Sequence, residues 1–446
     1  MATPVSNSSF DVEAYIGNYQ GFTRLKRMAF IASQNSTLKP DVLRVAIDEV
    51  RKTTNTALYL ELITMAADTP GASARDDAWV EAEDKRASQR LEKLENDLGQ
   101  HKTSLVKESI RMGHNDLGDF HSARGDFAMA LKCYVRTRDY CTTSKHIITM
   151  CLNIIRVSIH MGNFSHVANY ITKAESTDSS GSDPVLMAQL RVSAGLAHLE
   201  AKKYKLAARK MLETNPELGS SFSEIASPQD VATYGALCAL ASFDRAELKA
   251  KVIDNINFRS FLELVPEVRE IVHAFYNSRY ASCLKALEKL KPDLLLDLHL
   301  HDHVATLYTD IRSKALVQYF SPFVTVDMTR MAEAFNTPVM ELEKELATLI
   351  MAGQIPARID SHNKVLHARH ADQRTATFQK ALAMGDDYVR DSMALLLRIN
   401  LMRHDFVVKG QAGDAGGGAS KSSRHGQERH AVDRGTPSQA FFDTGL

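Results

Sequence analysis

The chain has 446 residues, 44% of them hydrophobic and 24% charged, the balance of an ordinary globular protein. Its 54 basic and 54 acidic residues cancel, so no overall positive field marks a binder of nucleic acid or anionic membrane. The length suits two or three domains at roughly 150 residues each, and the abundance of Leu, Ala, Lys and Glu favours helix over sheet.

The start, MATPVSNSSFDVEAY, lacks a basic region followed by an apolar one, so no secretory signal is expected. No run approaches the ~18 apolar residues of a membrane span. The cysteines Cys133, Cys141, Cys151, Cys238 and Cys283 are odd in number and show no C-x-x-C spacing. They suggest neither a disulfide framework nor a thiolate zinc site, and read as small buried hydrophobes in a reducing compartment.

Residues 1–9 form a polar leader expected to be disordered, and 10–112 a helical region. Tyr15, Tyr19, Phe22 and Leu25 recur at helical spacing, as do Val42, Val45, Ile47 and Val50. They predict two or three helices over 10–32 and 40–67. DTPGASARDD (68–77) is a loop. Residues 79–112 predict one long charged helix with Leu91, Leu94, Leu98 and Leu105 as its apolar seam.

From 113 to 300 a pattern recurs. Gly125-Asp126-Phe127 and Gly162-Asn163-Phe164 mark turns, and Tyr204, Phe243 and Tyr280 continue the series at spacings of 37, 40, 39 and 37. That period is near the ~34 of a tetratricopeptide helix pair, whose hairpins bury their apolar faces only by stacking into a solenoid.

Residues 301–371 change character. SPFVTVDMTRMAEAFNTP predicts a short strand, then a helix burying Met328, Met331, Ala332 and Phe335, with Thr325 or Asp327 as N-cap. A second helix starts at Pro338, carries Leu342, Leu346, Leu349 and Ile350, and stops at Gly353. Ile355, Ala357 and Ile359, then Val365 and Leu366, make a hairpin around SHN. The fold class is thus mainly α: a helical-repeat solenoid, a winged helix, then a long apolar helix over 372–408. The tail 409–446 has too little apolar content to bury a core and is expected to be disordered.

This layout resembles the PCI family, the scaffold subunits of the proteasome lid, the COP-nine signalosome and translation initiation factor three. The pieces carrying the resemblance are FDVEAYIGNYQGFTRLKRMAFIA near the start, then YFSPF, RMAEAFN, L-E-x-E-L-x-x-L-I-x-x-G-x-I and ARIDS. They are more similar to the signalosome branch than to its proteasome-lid paralogue, which stands as the alternative. The resemblance implies a non-catalytic scaffold without cofactor, located in nucleus and cytoplasm. Its winged helix would line up with other PCI subunits, subunits two and three of that complex being the expected neighbours. Its terminal helix would join a bundle with the metalloprotease-containing subunit pair. The solenoid would reach towards cullin-RING ligases, from which the complex removes a ubiquitin-like modifier using zinc held by another chain. No nucleic acid or membrane partner is implied.

On that reading the winged helix would set registry with its neighbours through Glu341, Glu343, Lys344, Glu345, Arg358, Asp360 and Lys364. A glutamate row on the candidate recognition helix, against Lys344, opposes a phosphate backbone and argues against DNA. The terminal helix would offer Leu395, Leu396, Leu397, Ile399 and Leu401, either as core of its own domain or as a seam for partner helices.

Two stretches suggest chemistry. In LLLDLHLHDH, His299 and His303 have the i, i+4 spacing of a zinc helix, but Leu300 stands where the glutamate base belongs. His299 and His301 also begin an isopeptidase-like pattern, yet Arg312 occupies the metal-ligand Asp position. A zinc hydrolase using His299, His301 and His303 is therefore the minor alternative to a solvated polar helix start, where Pro292 ends the solenoid. GGGASKSS (416–423) lacks the glycine before lysine and any preceding strand, and reads as linker rather than phosphate loop.

Overall fold

The computed structural model describes residues 11–67, 75–177, 183–369 and 373–404, in two compact units that divide after Arg369. In the first, four short helices open the chain: α1 (Val12–Gly17), α2 (Gly21–Gln34), α3 (Lys39–Val50) and α4 (Thr56–Ala66). They bury their own core, Met28, Ile31, Leu43, Val50, Tyr59 and Leu62, and Leu296 from far along the chain completes it.

The expected single helix over 79–112 is two, α5 (Asp77–Ser104) and α6 (Lys107–Ala123). Leu105 between them takes a left-handed φ of 57° and is 80% exposed. It therefore leaves the expected seam, and the reversal lets Leu98 meet Ile110 and Leu117 as an antiparallel pair.

Helices then alternate: α7 (Phe127–Arg136), α8 (Ser144–His160), α9 (Phe164–Ser176), α10 (Pro184–Glu200), α11 (Tyr204–Leu212) and α12 (Pro228–Ser242). A short α13 (Arg245–Leu248) runs into a π-helical turn (Lys249–Ile253), followed by α14 (Ile256–Leu262), α15 (Pro266–Tyr276) and α16 (Tyr280–Leu295). Phe127, Phe164, Tyr204 and Tyr280 each open the second helix of a pair, whereas Phe243 caps the end of α12.

The turn before each of those four helices has one geometry. Gly125, Lys202 and Ser278 are left-handed, as is Gly162, and the following amide reaches back five residues: Asp126 N to His121 O, Asn163 N to Ser158 O, Lys203 N to His198 O and Arg279 N to Ala274 O, all 2.9 Å. This pattern satisfies the carbonyls orphaned at a helix end. Glycine supplies it at no steric cost in two turns, whereas Lys202 and Ser278 hold the same conformation without it.

Pro292 does not break the solenoid: α16 continues through it to Leu295. The turn comes at Asp297, whose carboxylate accepts the amides of His299 (2.9 Å) and Leu300 (3.1 Å). Helix α17 (Val304–Phe320) then leads into β1 (Thr325–Asp327), α18 (Met328–Phe335), α19 (Val339–Met351), β2 (Ala357–Asp360) and β3 (Val365–Ala368). The three antiparallel strands lie in the order β1-β3-β2, with buried Leu366 opposite both Val326 and Ile359. Asp327, not Thr325, caps α18 by accepting from Thr329 N. The expected apolar faces are buried, with Ile350, Ile359 and Val365 partly so.

One continuous core runs from Ala130 to Leu366, so the winged helix is packed on the repeats rather than strung after them. Phe335 is its pin, stacked on Tyr280 (5.3 Å, 10° between planes) and edge-on to Tyr319. The described residues of the second unit form one helix, α20 (Gln373–Arg403).

Candidate interaction surfaces and a buried charge clasp

The most concentrated polar chemistry lies where the N-terminal helices meet the repeats. Arg27 of α2 is 0% exposed. Its Nη1 donates to Asp297 Oδ2 (2.6 Å) and to the Tyr15 hydroxyl, and its Nη2 to Asp230 Oδ2 (3.1 Å) and the Tyr234 hydroxyl (3.3 Å). The guanidinium lies 4.0 Å from the centre of the Tyr19 ring. Tyr15 (2.9 Å) and Tyr234 (2.6 Å) donate their hydroxyls to Asp297, and Tyr19 donates to Asp230 (2.6 Å). Asp230 also forms a reciprocal capping box with Ser227 at the start of α12.

Two carboxylates share one cation here, and their environments separate them. Burial alone would raise Asp297, but Arg27 and four further donors hold it down at about 2. Burial dominates at Asp230 and lifts it above the ordinary carboxylate range, despite Arg27 and with Asp297 adding to the rise. Burial likewise pushes Tyr15, Tyr19 and Tyr234 well above the usual phenol. Such groups donate hydrogen bonds without titrating near neutrality, and the arrangement behaves as a clasp between segments.

Further contacts extend the clasp. Asn18 Nδ2 donates to Gln229 Oε1 (2.9 Å), Gln20 N to Ser223 O (3.1 Å) and Lys26 Nζ to His160 O (2.9 Å). Phe22 meets Phe127 and His160 edge-on, and Phe30 meets His301.

The histidine stretch belongs to this junction and is not a solvated helix start. Asp297 and His303 are buried. The three rings go to three surroundings: His299 faces Phe164, His301 Nδ1 pairs with Leu295 O (2.7 Å), and His303 sits between the Tyr204 hydroxyl (3.3 Å) and Glu200 (3.6 Å). Burial, with Arg27 close by, lowers His299 to about 3. Among the described residues no group of three or more His, Cys, Asp or Glu side chains is arranged to hold a metal ion. No described helix is long and apolar enough to cross a membrane.

The winged-helix candidates divide. Glu343 accepts from Lys364 (3.0 Å) and Ser361, and Arg312 Nε of α17 lies 3.0 and 2.9 Å from the two Glu345 oxygens. Asp360 closes the hairpin turn by accepting from His362 N, Asn363 N and Asn363 Nδ2. The expected exposed glutamate row is therefore partly spent: Glu343, Glu345, Asp360 and Lys364 hold the module together. Glu341, Lys344 and Arg358 are exposed.

On α20, Leu395, Leu396, Leu397 and Ile399 are exposed and Leu401 half-buried. Three consecutive leucines at about 60% exposure span about 200° of a helix, so the exposed apolar surface is broader than the single stripe of an ordinary surface helix. GGGASKSS, at 416–423, lies outside the described residues.

Sequence reasoning missed Arg27, Tyr15 and Tyr234 as partners. The capping box Ser227–Asp230 was a readable local signal; nothing near Arg27 announces a mate 270 residues away.

Comparison with known proteins adds to this geometry. Residues 76–251 match the family described as 26S proteasome subunit RPN7, residues 287–370 the PCI domain, and residues 373–398 the C-terminal helix of COP9 signalosome complex subunit 1. COP9 signalosome complex subunit 1 of Arabidopsis thaliana is 58% identical over 409 residues, 91% of this chain and 92% of that protein. Subunit 1b of Drosophila melanogaster is 42% identical over 479 residues, covering 95% and 90%. The 26S proteasome non-ATPase regulatory subunit 6 of Oryza sativa subsp. japonica is 25% identical over 303 residues, covering 68% and 77%.

Proposed function

Because the chain belongs to the family of COP9 signalosome complex subunit 1, we infer that it is a scaffold subunit of that complex and carries no active site of its own. The observation bearing most weight is α20. It matches the subunit-1 C-terminal helix, and it carries exposed apolar side chains over about half of its circumference, which suits insertion among partner helices.

On this reading α20 enters a helical bundle with the other subunits, including the metalloprotease-containing pair. The winged helix abuts further PCI modules, subunits two and three being the expected neighbours. Glu341, Lys344 and Arg358 are the charges left at the surface to set registry there. The isopeptidase step, removal of the ubiquitin-like modifier from cullin-RING ligases, falls to another chain. The solenoid then faces the ligase or an effector, and the protein works in nucleus and cytoplasm. The 26S proteasome non-ATPase regulatory subunit 6 is the more remote relative, at 25% identity over 68% of this chain, and the two readings differ in partners.

Affinity purification of the full chain with its co-expressed partner subunits tests this. Leu396→Glu with Leu397→Glu is expected to remove the partners from the eluate while the chain stays folded. Undiminished co-purification of signalosome subunits would overturn the role given to α20.

A further inference from the structure

On α11, α13 and the π-helical turn, three cations converge on one carboxylate. Glu247 Oε2 lies 3.0 Å from Lys205 Nζ, and its Oε1 lies 3.1 Å from Lys251 Nζ and 3.6 Å from Arg209 Nη2. One negative charge thus faces three positive ones, and the close contacts of Lys205 and Lys251 hold the Glu247 carboxyl down at about 2. Lys249 on the π-helical turn and Lys202 and Lys203 on the turn before α11 are exposed and add further positive charge.

The cluster is built into the backbone. Lys249–Ile253 is a π-helix between α13 and α14. Such turns cost regular hydrogen bonding and recur at functional sites. Lys251 Nζ lies 5.3 Å from the Phe243 ring centre, and the buried Arg209 Nε has no hydrogen-bond partner among the described residues. Val252 and Ile253 of the same turn form a wall of a cavity of about 300 Å³ that Arg259, Arg269 and His273 also line.

We propose that this basic cluster is a docking surface for an acidic polypeptide segment, whose carboxylates take the place Glu247 now holds among Lys205, Arg209 and Lys251. Glu247 already shows the ligand chemistry that fits: a carboxylate, reached by ammonium groups from two elements. An incoming acidic side chain needs no new cation, only a share of those present. The attraction is screened by salt, so it steers encounter more than it sets residence.

The test uses the full-length chain and fluorescence anisotropy with a labelled ten-residue peptide of alternating Asp and Glu, at 50 and 150 mM salt. Two variants move binding in opposite directions. Lys205→Ala with Lys251→Ala is expected to weaken it at least fivefold. Glu247→Gln, which removes the internal competitor, is expected to tighten it about threefold. The control, Lys85→Ala with Lys93→Ala, removes two exposed charges from α5 and is expected to change nothing. Equal weakening by the control pair overturns the proposal in favour of diffuse attraction. Unchanged or weaker binding by a folded Glu247→Gln chain, checked by its circular dichroism, overturns it too. Tighter binding of a labelled single-stranded RNA at the same site would assign the surface to nucleic acid instead.

Discussion

Arg27 and Asp297, separated by 270 positions, meet at 2.6 Å inside the protein, and the guanidinium is wholly buried. The pair joins the first helices to the last turn of the repeats, with Asp230 of α12 as a third partner. A buried ion pair is weak evidence for net stability, but removing one member leaves an uncompensated charge.

Arg27→Met should therefore lower the unfolding free energy by about 3–5 kcal/mol, read as a shift in urea midpoint. Adding Asp230→Asn and Asp297→Asn to the same chain should recover a large part of that loss, because no orphan carboxylate remains. A lone Arg27→Met chain with the wild-type midpoint would show that the clasp carries no weight.

Acid should loosen the same junction. Burial lowers His160 and His299 to about 3, far below an unfolded histidine near 6.5. Their folded pKa values are depressed, so the unfolded chain binds protons that the folded chain refuses. Stability falls as pH drops from about 6.5 towards 3, by roughly 1 kcal/mol per histidine per pH unit. Asp297, also held low, contributes in the same direction only near pH 4 and below. The hydrogen-exchange protection factors of α1 and α2, corrected for the pH dependence of intrinsic exchange, should fall first between pH 7.5 and 5.5, and His160→Phe should flatten the dependence. A junction equally protected at both pH values would contradict this.

Two glycines predict unequal tolerance. A Cβ at Gly118 would stand 2.5–2.8 Å from the Tyr134 ring, and one at Gly195 would stand 2.6–2.9 Å from Met211. A ring cannot bend aside, whereas a thioether chain has three torsions to adjust. Gly118→Ala should cost about 1–3 kcal/mol, and Gly195→Ala measurably less in the same thermal-melt series. The reverse order would show that backbone shift, not side-chain stiffness, absorbs the overlap.

In the winged helix, Leu346 and Glu345 are adjacent but unequal. Leu346→Ala removes a fully buried side chain and should cost about 2–5 kcal/mol. Glu345→Ala breaks a part-exposed pair with Arg312 and should cost about 0.5 kcal/mol. Paired melts decide it: a large loss at Glu345 would mean the contact between α17 and α19 depends on that charge.

What the sequence disclosed followed local rules. Gly125-Asp-Phe and Gly162-Asn-Phe carry their turn chemistry in their letters, and α18, α19 and the hairpin follow simple periodicities. The fold class and the PCI-type layout were legible for that reason. Lys202 and Ser278 repeat the glycine geometry without glycine, so those turns were hard to see. Leu105 looked like a seam residue because helical periodicity says nothing about where a charged helix reverses. Among the candidate charges, Glu343 and Glu345 looked exposed because their partners, Lys364 and Arg312, lie 21 and 33 positions away.

Leu296 and Asp297 also impose an order of events during synthesis. At ~5–20 residues per second, Arg27 is made roughly 14–54 s before Asp297. During that interval the opening helices have their own apolar core but not its last member, and a guanidinium waits without its carboxylate. The first part of the protein to emerge is thus among the last to be sealed. Nascent chains arrested before residue 296 should keep residues 11–66 open to protease, and chains released past α17 should not.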